Sequence, residues 1–81
     1  MADEPILERI NALAHEEEEL WRRASAGGGI STADRQRLDE VEVALDQCYD
    51  LLRQRQARRE FGQDPEQAEV RSPDVVERYQ Q

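Results

Sequence analysis

"AGGGIST", residues 26–32, is the stretch that decides the fold. Three consecutive glycines accept positive φ and end a helix readily. Ser31, followed three residues later by Asp34, has the form of a capping box with Asp in place of the usual Glu or Gln, so a second helix starts at once. A connection of about five residues suits antiparallel neighbours. The stretch therefore predicts a helical hairpin folded near Gly28.

Upstream, Asp3 or Glu4 can receive the free N–H groups of a first turn, and Pro5 sits where its missing N–H costs nothing. Ile6, Ile10, Leu13, Leu20 and Ala24 then recur in steps of three and four, with Glu17 filling the one missing seam position. Leu7, Ala14 and Trp21 repeat every seven residues beside that seam. Downstream, Leu38, Val41, Leu45, Cys48 and Leu52 keep the same steps, flanked by Ala44 and Leu51 on one side and Tyr49 on the other. A period this close to 3.5 predicts coiled-coil-like packing. The expected class is all-α: an antiparallel two-helix hairpin over residues 1–61, with helices over 4–25 and 32–60 and a Gly-rich turn at 26–31.

Folding at Gly28 opposes residues whose numbers sum to about 57, which brings Leu20 to the region of Leu38, Leu13 to that of Leu45 or Ala44, and Ile6 or Ile10 to that of Leu52 or Cys48. The expected core and dimer seam is Ile10, Leu13, Leu20, Trp21, Leu38, Val41, Leu45, Cys48 and Leu52. Leu7, Ala14 and Trp21, together with Ala44 and Leu51, make the apolar face wider than a two-helix seam requires. A homodimer forming a four-helix bundle is the simplest way to bury it. Residues 62–81 change character. Asp64-Pro65 and Ser72-Pro73 start two turns too short for isolated helices, and Val70, Val75, Val76 and Tyr79 are free to dock on the hairpin or on a partner.

Composition sets the remaining bounds. The 81 residues carry a net charge of −8, from 19 acids against 11 bases, all of them Arg. That balance disfavours nucleic acid and anionic membranes. A single cysteine gives no intramolecular disulfide framework and fits a reducing compartment. No basic leader or roughly 20-residue apolar run is present, so a cytoplasmic protein with no membrane partner is expected.

Little in the sequence carries chemistry. His15 faces outward, and Cys48 lies on the seam as a small hydrophobe, so neither builds a metal or nucleophile site. Glu16 to Glu19 point in four directions around the helix, with Glu17 alone facing the seam, where it either pairs with Arg37 or sets the register as a buried polar residue. No cofactor and no enzymatic activity are expected. The one serious candidate is "RQRQARREFG", residues 53–62. Its arginines lie on helix two beyond the expected end of helix one, near a dipole end that favours cations, with Asp3, Glu4 and Glu8 as available counter-charges. Arg53, Arg55, Arg58, Arg59 and Phe61 are the expected partner- or anion-binding residues, since Arg and aromatic residues dominate interface hot spots. The leading reading is a non-enzymatic protein-interaction or regulatory hairpin. The alternative is a dimeric sensor whose clustered arginines clamp an anionic nucleotide.

Three stretches, "ILERINALAHEEEEL", "LDQCYDLLRQRQARREFG" and "DPEQAEVRSPDVVERY", span nearly the whole chain. Together they resemble a small actinobacterial family catalogued only as a domain of unknown function. The resemblance implies no activity, substrate or cofactor, and no functional residue follows from it.

Overall fold

The computed structural model describes residues 3–80, with side chains as far as Val76. Helix α1 runs Glu4–Ala26 and α2 runs Thr32–Glu60; a 3₁₀ turn at Pro65–Gln67 and a short helix α3 at Pro73–Gln80 follow. No strand occurs among the described residues. The two long helices pack against each other as the expected hairpin. The molecule is long and flat, 51 × 25 × 15 Å.

The helix ends show why these residues stop where they do. At the hairpin turn Gly28 takes φ 77°, and the Gly29 N–H donates to the Ala24 carbonyl, closing the last turn of α1. The Ser31 hydroxyl accepts from the Asp34 N–H at 3.1 Å and starts α2. The reciprocal half of the box is replaced, because the Asp34 carboxylate takes a 2.9 Å bond from Arg23 across the hairpin. α2 ends in a Schellman motif: Gly62, at φ 71°, donates to the Arg59 carbonyl, and Gln63 donates to that of Arg58.

Ile10, Leu13, Leu20, Leu38, Val41, Leu45 and Cys48 form one buried cluster, with Ile6, Ile30, Ala44 and Leu52 packed against it. Leu38 and Val41 are fully buried. Arg23 with Asp34 and Asp3 with Arg55 bridge the helices at pairs of numbers close to the expected register. Trp21, expected in the seam, lies outside this cluster and is 48% exposed. Glu16 rather than Glu17 takes Arg37, in a two-point fork with Nη2 to Oε1 at 2.8 Å. Glu16 leans to the flank where Arg37 rises, so the fork forms beside the seam rather than within it.

The tail is a strap. It runs back along the face of α2 opposite α1, and both the 3₁₀ turn and α3 contact α2. Val76 is fully buried and Val75 half-buried, while Val70 stays exposed; the Tyr79 side chain lies outside the described residues. Both Pro-initiated turns are capped, Asp64 accepting from the Glu66 N–H and Ser72 from that of Val75. α2 is thus the middle layer of the molecule, covered by α1 on one side and the strap on the other.

Candidate functional site

The arginine end was expected as an uncovered overhang, and the structure corrects part of that. Arg55 is 6% exposed. Its Nε donates to Asp3 at 2.6 Å, Nη1 to the Pro65 carbonyl at 3.2 Å and Nη2 to Glu66 at 3.3 Å. Arg59 donates to the same Asp3 oxygen. Asp3 is the N-cap of α1, yet its side chain caps no N–H because the two guanidinium groups take it instead. Hydrogen bonds from Arg59 and then Arg55 hold the Asp3 carboxyl below the ordinary carboxylate value, and Asp3 in turn raises Arg55. The seam therefore turns basic where the start of α1 and the 3₁₀ turn converge on it. Arg55 is an internal clamp joining α1, α2 and the strap.

The other residues of the cluster differ in placement. Arg53 is exposed and has no ion-pair partner among the described residues. Arg58 is half-buried and lines a shallow polar recess with Glu66, Gln67 and Glu69. Phe61 is 79% exposed.

A second polar network lies one turn away, and no reading of the sequence singled it out. Asp50 is 2% exposed and receives a two-point fork from Arg71, at 2.9 and 2.7 Å. Gln54 donates to Asp50 and to the Glu69 carbonyl and accepts from the Glu69 N–H, while Gln47 donates to the Arg71 carbonyl. Gln47, Asp50 and Gln54 follow helical spacing on the back of α2, a polar stripe that the sequence does display. Among the described residues no buried side-chain polar atom lacks a partner. Nor is any group of three His, Cys, Asp or Glu side chains among them placed to hold a metal ion. His15 is exposed and Cys48 is buried as a free thiol in the core cluster.

The residues expected to widen the apolar face are divided between two flanks of the hairpin. On one, Pro5, Ile6 and Arg9 of α1 meet Ala44 and Leu51 of α2 and Val70 of the strap around a groove of about 270 Å³. On the other, helical spacing places Leu7, Ala14 and Trp21 of α1 with Tyr49 and Arg53 of α2. Leu7 and Tyr49 are each 46% exposed and Trp21 is 48% exposed. The heptad is the same in both helices, but the two secondary stripes diverge because they lie on opposite sides of their seams.

The chain matches, over residues 2–81, the family described as "Protein of unknown function (DUF2630)". Uncharacterized proteins of Mycobacterium tuberculosis and Mycobacterium bovis are 44% identical to it over 77 residues, covering 95% of this chain and 88% of theirs. No solved structure matches. The chain belongs to this family of unknown function.

Proposed function

We propose that this member of the family is a non-enzymatic interaction module, a helical hairpin that works by docking another protein chain. One observation carries the reading: an apolar stripe at seven-residue spacing, Leu7, Ala14 and Trp21, stays exposed outside the buried core cluster. Large aromatic residues left half-exposed on a helix are characteristic anchors of interfaces. A photoreactive residue placed at position 21 tests this inside cells. A discrete adduct at position 21, missing when the same group replaces outward-facing His15, is the expected result. The same pattern at both positions, or no adduct at either, contradicts the reading.

In the nucleotide-sensor alternative Arg53 and Arg58 make the anion contacts, because Arg55 and Arg59 already hold Asp3 and Glu66. It predicts that nucleotides raise the melting temperature in wild type and not in Arg53→Glu/Arg58→Glu. With the expected module, the melting temperature is the same with and without nucleotide.

A further inference from the structure

We infer that the chain docked on the Leu7–Ala14–Trp21 flank is a second copy of this one, its α1 crossing antiparallel about a two-fold axis at Ala14. The inference rests on the interaction-module reading and names its partner. Leu7 and Trp21 each stand seven residues from Ala14, about 10 Å along the helix. A two-fold axis at Ala14 therefore sets Leu7 against Trp21 of the partner subunit twice over, and Ala14 against its own copy, as a self-complementary patch requires. A small residue at the crossing point lets the two backbones approach, and the large residues close the contact on either side.

The polar edge of α1 agrees with this register. Glu18 comes opposite Asn11 of the partner subunit, and Glu4 opposite Ser25 of the partner subunit with Arg22 of the partner subunit a turn away. No carboxylate on that edge meets another, an arrangement that avoids like-charge repulsion. Tyr49 and Arg53 rise from α2 at the level of Leu7, where the partner's Trp21 arrives. An indole there finds apolar contact and a cation without an ion-pair partner among the described residues, which suits a cation–π contact. Glu42 and Asp46 lie on the same flank of α2 at the level of Ala14, close to their own copies across the axis, so salt that screens them is expected to tighten the dimer.

The test combines mass with position. Light scattering is expected to give wild type twice the 9.4 kDa chain mass and Trp21→Glu the single mass with unchanged helical circular dichroism. In a Cys48→Ser background, Ala14→Cys is expected to oxidise to a covalent dimer at least about tenfold faster than His15→Cys, because a two-fold axis raises the local concentration of its own thiol. A monomeric wild type overturns the inference, as does a dimer in which Ala14→Cys links no faster than His15→Cys. A monomer that still yields a heterologous adduct at position 21 sinks the second-copy inference alone. Absence of both sinks the module reading too.

Discussion

At the scale of single residues, two carboxylates hold the molecule together in different ways. Asp50 is buried and forked by Arg71, so Asp50→Ala leaves the guanidinium, Gln54 and the strap without their common acceptor. Arg71 is partly exposed and can rehydrate, so losing these charge-assisted hydrogen bonds to a buried acceptor costs about 2 kcal/mol. Urea unfolding is expected to show that loss, and hydrogen exchange is expected to speed up across residues 64–76 before it does in the hairpin core. Asp3 acts at the surface, and its effect depends on pH. Its carboxyl is depressed in the folded chain, so its contribution is fully present above the ordinary value of 3.8 and is lost as pH falls through the lower folded value. Thermal melts of wild type and Asp3→Asn are therefore expected to differ most near neutrality and to converge in strong acid. A constant offset at all pH values would contradict the pairing.

At the scale of elements, the hairpin is legible in the sequence for local reasons. The Gly triplet, Ser31 and the three-four spacing each act within a turn or two of the residues that carry them. Gly62 is the other such signal: its φ of 71° permits the Schellman closure of α2 and sets the direction in which the strap leaves. Gly62→Ala is expected to cost about 1 kcal/mol, since left-handed backbone strains a residue with a Cβ; an unchanged urea midpoint would argue against that closure. What the sequence hides is long-range. Whether Arg55 is free or buried depends on the path of residues 64–71, which have no periodicity, and on Asp3 preferring arginine to its own helix. Asp50 in "CYDLL" looks like a solvated acid until Arg71 is brought back across the strap. The division of the flanks is hidden for a different reason. Leu7, Ala14 and Trp21 and the pair Ala44 and Leu51 each widen a seam, but only the sense of rotation around each helix says that they widen it in opposite directions.

At the scale of the whole molecule, α2 is fastened on both sides, by the apolar seam to α1 and by polar locks to the strap. Of the arginines prominent in the sequence, Arg55 serves the lock to the strap and, with Arg59, holds Asp3, while Arg53 is exposed and Arg58 lines the polar recess; the flank of α1 is the proposed docking surface. The chain contains one tryptophan, Trp21, and it stands on that flank. Its intrinsic fluorescence therefore reports the proposed contact directly. Dilution of the wild-type protein from millimolar to nanomolar concentration is expected to shift the emission maximum to the red as the indole passes from an apolar contact into water. An emission maximum that stays at one wavelength throughout that range, in protein that remains helical, would contradict the second-copy contact.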